Sequence, residues 1–139
     1  GRSGGSAYAG TCTNGGRGAT AGARAATLDS CVAALGLQRI DLIKLDVDGF
    51  ECHVLRGAAA TLALHKPTII MELAPHLLDE HGTSLEDLLG MLAPHHYGLC
   101  TLSSSAQLPL DPAVLRKRVP PGSSLNVIVR SGARDGTES

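Results

Sequence analysis

The sequence predicts an α/β fold: a parallel sheet of about four strands with flanking helices, from which the first strands are missing. Two observations carry this. Short apolar runs of strand length, Ile40 to Val47, Thr68 to Leu73 and Tyr97 to Leu102, alternate with segments of helical periodicity. Such alternation specifies parallel strands joined by crossovers. Composition agrees, because hydrophobic residues make up 43% of the 139 residues and aromatic ones only 2%. The core must therefore be built from Leu, Ile, Val and Ala, as in sheets whose faces are covered. A sheet of four falls short of the usual mean of about five or six strands, so it looks cut.

Each element has a local cause. Residues 1–26 contain eight glycines and almost no large apolar side chain, too little to offset the entropy of ordering, and a flexible leader is expected. Within it, Gly16 to Gly22 has the spacing GxGxxxG with no apolar strand before it, which does not meet the dinucleotide fingerprint. From Thr27 onward, Leu28, Cys31, Val32 and Leu35 lie on one helical face, and Gly36 stops the helix. Ile40 to Val47 is a buried strand. Phe50 to His65 reads as one helix with Phe50, Val54, Leu55, Ala58 and Leu62 as its apolar stripe. Pro67 breaks the chain before the second strand, Thr68 to Leu73. Thr83-Ser84-Leu85-Glu86 is a capping box with Thr83 as the cap, and Leu85, Leu88, Leu89 and Leu92 follow at helical spacing until Pro94. Tyr97 to Leu102 is the third strand. Residues 103–124 form a long connection with four prolines and no clear helix. Asn126 to Val129 is the closing strand. The expected units are a leader (1–26), a folded domain (27–130) and a polar, frayed tail (131–139).

Charge and cysteines narrow the function classes. Net charge is −1, with 12 basic and 13 acidic residues, which leaves no electrostatic footprint for nucleic acid. Arg116-Lys117-Arg118 is expected to be a solvated loop. Cys12, Cys31, Cys52 and Cys100 form no CxxC pair or zinc pattern. Cys31 and Cys52 fall on apolar helical positions, as buried free thiols in a reducing compartment would. No apolar run approaches the ~18–20 residues of a membrane span, and no signal peptide is evident, so a cytoplasmic location is expected. The chain starts at Gly1 rather than Met, as a fragment would.

The chemistry concentrates at Asp46-Val47-Asp48-Gly49-Phe50-Glu51, where a strand ends and a helix begins. Ligands of open α/β sheets bind at such carboxyl ends. Asp48 can cap the helix, with Glu51 completing the arrangement, and the macrodipole favours each acid by about 0.3–1 kcal/mol. Asp46 interrupts an apolar strand, where an unpaired buried carboxylate would cost several kcal/mol. It therefore needs a partner or a ligand. Lys44, on the same face two residues earlier, can neutralise it or snorkel to an edge. Glu72 ends the next strand, which brings a second carboxylate to the same rim. His76 and His81 are five apart, not a one-face metal spacing, and His95-His96 follow a proline. All four are expected to be solvated, and no metal site is expected from them. No GxSxG, HExxH or Walker A pattern occurs.

Taken in order, Thr27-Leu28-Asp29, Lys44-Leu45-Asp46-Val47-Asp48-Gly49-Phe50-Glu51, Val54-Leu55-Arg56-Gly57-Ala58, Pro67-Thr68-Ile69-Ile70-Met71-Glu72 and Tyr97-Gly98 resemble the C-terminal half of the FkbM family of methyltransferases. The resemblance runs from Ala26 to Leu102, and more loosely over Asn126 to Val129. Asp48 stands where the family usually has Glu, which keeps the charge and shortens the reach. The resemblance implies an incomplete Rossmann-like (class I methyltransferase) sheet and S-adenosylmethionine as cofactor. It implies an acceptor hydroxyl on a sugar or other natural product. It also implies catalytic roles for Asp46 and Glu72, with Glu72 as a candidate base, and cofactor contacts from Asp46 and Asp48. The family's glycine motif and its ribose-binding acid lie on strands that would precede residue 1, so the chain would carry a site's rim without its floor. Two rivals remain. Asp46-Val47-Asp48 can be the DxD of a metal-dependent glycosyltransferase. Alternatively, the chain is a non-catalytic α/β interaction fragment.

Overall fold

In the computed structural model, which describes residues 7–8 and 26–132, six strands form one mixed sheet. They are β1 (Ala7–Tyr8), β2 (Leu42–Leu45), β3 (Thr68–Leu73), β4 (Tyr97–Thr101), β5 (Gln107–Leu108) and β6 (Leu125–Ser131), in the spatial order β1-β2-β3-β6-β4-β5. The first three pair in parallel. The expectation of an all-parallel sheet fails at the end of the chain. There β6 lies antiparallel between β3 and β4, and β5 pairs antiparallel with β4 at the edge. The long connection holds β5 and a helix, α6 (Pro112–Arg118). It returns the chain against the strand direction, into a slot that an antiparallel strand fills without a crossover. Val127 and Val129 are fully buried there.

The short β1 falls inside the stretch expected to be a leader. The GxGxxxG run and Cys12 lie outside the described residues. Ser131 closes β6, and Gly132 donates its amide to the His96 carbonyl; the remainder of the expected tail lies outside the described residues.

Alternate strand residues, among them Ile43, Leu45, Ile69, Met71 and Val127, join the buried residues of the helices in one core. Their neighbours Leu42, Lys44, Ile70 and Glu72 are exposed or half-buried. Lys44 and Glu72 therefore share the face of the sheet turned away from that core.

The helices follow the predicted pattern with several corrections. Thr27 caps α1 (Leu28–Leu35) by accepting from the Ser30 amide at 3.1 Å, and Gly36 ends it in the left-handed conformation. The segment expected as one helix is two, α2 (Glu51–Arg56) and α3 (Ala59–His65). The break is a tertiary contact. The Gly57 carbonyl accepts from the Asp29 amide at 2.8 Å, and a Cβ at Gly57 would lie 2.8 Å from the Thr27 Cβ. Asp29 then caps α3 from outside, accepting from the amides of Ala60 and Thr61 and the Thr61 hydroxyl at 3.0, 2.8 and 2.7 Å. Phe50 is left out of the stripe, 45% exposed.

After α4 (Pro75–Glu80), helix α5 (Leu85–Leu92) is capped by Ser84, not Thr83, through the Asp87 amide at 3.0 Å. Thr83 is buried and donates its hydroxyl to the Leu78 carbonyl. Glu86 does not reach back as a capping box requires. Both its oxygens accept from Arg116 at 2.7 Å, and this pairing pushes its carboxyl down to about 2. Arg116, Lys117 and Arg118 thus occupy the last turn of α6, not a loop, where cations complement the helix dipole.

Cys52 and Cys100 are buried free thiols. Cys31 is disulfide-bonded, which corrects its assignment as a free thiol. A disulfide persists under oxidising conditions, so Cys31 does not support the reducing compartment expected from buried free thiols. Among the described residues, no helix is long and apolar enough to cross a membrane.

Tyr97 ties β4 to the start of β3. Its buried hydroxyl donates to the Pro67 carbonyl at 2.6 Å, and burial pushes its pKa up to about 12. A Tyr97→Phe variant leaves that carbonyl without its partner and is expected to lose about 1–3 kcal/mol of stability. Urea denaturation measures the loss; an unchanged midpoint would show the bond to be dispensable.

Candidate functional site

The parallel register sets the site. Leu45 pairs with Met71 across β2 and β3, so one residue further on Asp46 and Glu72 emerge side by side at the carboxyl ends of these strands. Glu72 is also opposite Asn126 on β6. Lys44, Asp46, Ile70, Glu72 and Asn126 line a small cleft of about 140 Å³. Carboxylate oxygens of Asp46, Asp48 and Glu72 all lie within 4.8 Å of one another. The three acids singled out in the sequence therefore converge, and no other group of three or more such side chains among the described residues does so.

Asp46 is not buried as the apolar strand suggested. Its side chain is 62% exposed, because the strand ends at Leu45, and it pairs with Lys44 at 3.8 Å. Of the two roles open to Lys44, this one is neutralisation. At that exposure the pair adds little stability. Its consequence is local charge: three carboxylates face one ammonium.

Asp48 does not cap α2. The N-cap position is Phe50, with no side-chain hydrogen bond. Asp48 and Gly49 have φ of +48° and +101°, and the Phe50 amide donates to the Val47 carbonyl at 3.1 Å. This is the pattern of a type I′ turn, for which Asp-Gly is a preferred pair. The turn swings the Asp48 carboxylate toward Asp46 and Glu72 instead of onto the helix. Glu51 does not complete the expected capping arrangement either: it is the first residue of α2, and its side chain reaches back to the turn. It is buried, and Oε1 accepts from the Gly49 amide at 3.0 Å. Burial raises its carboxyl above the ordinary range, against the lowering effect of its backbone hydrogen bonds.

Gly49 is confined from the other side. A Cβ there would lie 2.5 Å from the His81 ring and 2.5 Å from the Leu77 carbonyl oxygen. His81 also stacks on Phe50, with ring centroids 3.9 Å apart. His81 and His76 are both partly buried, and Nδ1 of His76 is buried with no hydrogen-bond partner. Neither is the solvated loop histidine expected. Gly49, Asn126 and this ring stack belong to the site without being singled out by the sequence pattern. The Asp-Gly dipeptide was a usable turn signal for the first; the others are brought in by pairing between distant segments.

A larger hollow of about 780 Å³ lies between the 3-10 turn at Ala93–His95, β4 and β5. Its lining includes His96, Gln107 and Leu110 but no carboxylate, so the acids and this hollow are separate features.

No curated protein and no solved structure matches the chain. The methyltransferase FkbM domain matches residues 6–99, a stretch that contains β1 to β3, all three acids and the start of β4. On that match, covering more than half of its length, the chain belongs to the FkbM methyltransferase family.

Proposed function

We propose that this chain forms the carboxylate rim of an S-adenosylmethionine-dependent methyltransferase acting on a hydroxyl of a sugar or other natural product. In this reading the described residues correspond to the C-terminal half of the catalytic domain. The observation that carries the reading is the convergence of Asp46, Asp48 and Glu72 at the strand ends. The donor set fits the cofactor: a rim with three carboxylates against one ammonium suits the ammonium and sulfonium charges of S-adenosylmethionine. When bound, that cofactor supplies a methyl group open to in-line displacement by an acceptor oxygen. Asp46 and Asp48 hold the cationic end of the ligand. Glu72, half-buried between β2 and β6, accepts the proton that the acceptor hydroxyl releases.

An NMR-monitored titration of the chain with S-adenosylmethionine tests this. Perturbed amides are expected at Asp46 to Phe50 and at Glu72, at about 1 mM ligand, which half-saturates a site worth about 4 kcal/mol. A single exposed charge contact at 4 Å is worth about 1 kcal/mol, so Asp46→Asn is expected to weaken binding about fivefold. Perturbations confined to the cleft beside β4 and β5 would move the cofactor site elsewhere.

The same oxygen set favours a second reading of the site, a hard divalent cation, although family membership leaves no place for the DxD glycosyltransferase. Selective broadening of the Asp46 and Asp48 amides by substoichiometric manganese would decide for the cation.

A further inference from the structure

We propose that Glu51 is a positioning residue: through the Gly49 amide it holds the turn that delivers Asp48 to Asp46 and Glu72. The inference rests on the cofactor reading above for what the three acids bind, but its structural part stands apart from that reading.

Asp48 occupies the left-handed backbone region, which aspartate enters more readily than most residues but still at a cost, so neighbouring contacts are needed to fix it there. Two features supply them here. On one side, Gly49 abuts the Leu77 carbonyl and the His81 ring at the end of α4. That helix begins three residues after Glu72. On the other side, the Gly49 amide donates to Glu51, whose residue is only 4% exposed. Burying a carboxylate is unfavourable unless it is hydrogen-bonded, and a helix start can be capped by an exposed Ser or Asp instead. Glu51 does not cap from the N-cap position. It points back, out of its own helix, to the residue that follows Asp48. The turn carrying Asp48 is thereby fastened between the first turn of α2 and the helix that continues from the Glu72 strand. Glu51 itself is buried and does not line the cleft.

Two substitutions separate this role from simple helix support. Glu51→Gln retains an acceptor oxygen without the charge. Glu51→Met keeps much of the volume and removes the acceptor. In Glu51→Gln, Gly49 amide exchange and the Asp48 backbone couplings are expected to match the wild type. In Glu51→Met, with circular dichroism unchanged, Gly49 exchange is expected to rise at least about tenfold. Asp48 is expected to leave the left-handed region, and S-adenosylmethionine affinity to fall at least about fivefold, the loss of one charge contact. Rescue by glutamine is the signature of positioning. A Gly49 amide that stays protected in Glu51→Met, or equal losses in both variants, overturns the proposal. If the wild type shows no ligand-induced shifts, the cofactor reading fails, while Gly49 exchange and the Asp48 conformation still decide the role of Glu51. Should Glu51→Met not fold, Glu51→Ala carries the comparison. Unfolding of both, with Glu51→Gln folded, would assign Glu51 to stability alone and overturn the proposal.

Discussion

Gly49→Ala is expected to destabilise the protein by about 4 kcal/mol, the largest effect foreseen here. Two costs add. A non-glycine residue at φ +101° is strained by about 1–3 kcal/mol. The new methyl group would also overlap the Leu77 carbonyl, a backbone atom that cannot rotate away, and overpacking of this kind costs about 1–3 kcal/mol. Gly36 provides the control, because it too has positive φ but has nothing within 4 Å of a Cβ. Gly36→Ala should therefore cost only about 1–2 kcal/mol, the conformational part. Urea denaturation of both variants makes the comparison. Equal losses at the two positions would show that α4 gives way and that the Asp48 turn is not wedged.

Asp29→Ala is the second, with an expected loss of about 3 kcal/mol. Its carboxylate holds the amides of Ala60 and Thr61 and the Thr61 hydroxyl. Hydrogen bonds to a charged group are worth about 1.5–3 kcal/mol each when fully desolvated, and partial exposure of Asp29 discounts their sum. Burial raises its pKa, but the three hydrogen bonds together outweigh that, and the net shift is downward from 3.8. In acid the unfolded chain therefore takes up this proton before the folded protein does. The stabilisation is complete above the unfolded value and is lost as pH falls through the lowered folded value. Asp29→Asn should flatten this acid limb of the stability curve. An unchanged acid limb would show that the carboxylate contributes as a neutral acceptor.

Asp29 also shows why a short sequence block was legible before its purpose was. Thr27-Leu28-Asp29 and Val54-Leu55-Arg56-Gly57-Ala58 stand out as separate motifs. In the fold they form one joint: Thr27 closes over Gly57, Gly57 binds the Asp29 amide, and Asp29 caps the helix that Gly57 interrupts. Periodicity alone predicts one helix from Phe50 to His65, because the pattern stays in phase across the break. The interruption is imposed by a strand-distant partner that local propensity cannot see.

The candidate site divides the same way. Asp46 and Glu72 were identifiable because each ends an apolar strand, and parallel register does the rest. Asp48 was expected at a helix cap, the commonest place for an acid in that position. The left-handed turn, held by Glu51 within and His81 and Leu77 outside, sends it to the rim instead.

What the sequence determined by itself is the kind and order of the principal elements, and the rim where the acids gather. Apolar spacing, prolines, glycines and caps act within a few residues, so they can be read in one dimension. Only the tertiary structure decided that β6 runs antiparallel into the middle of the sheet and that Asn126 faces Glu72. It also decided that Asp46 is solvated and that Asp48 turns away from its helix. Each of these depends on contacts between segments far apart in the chain, whose energies are comparable to the local preferences they override.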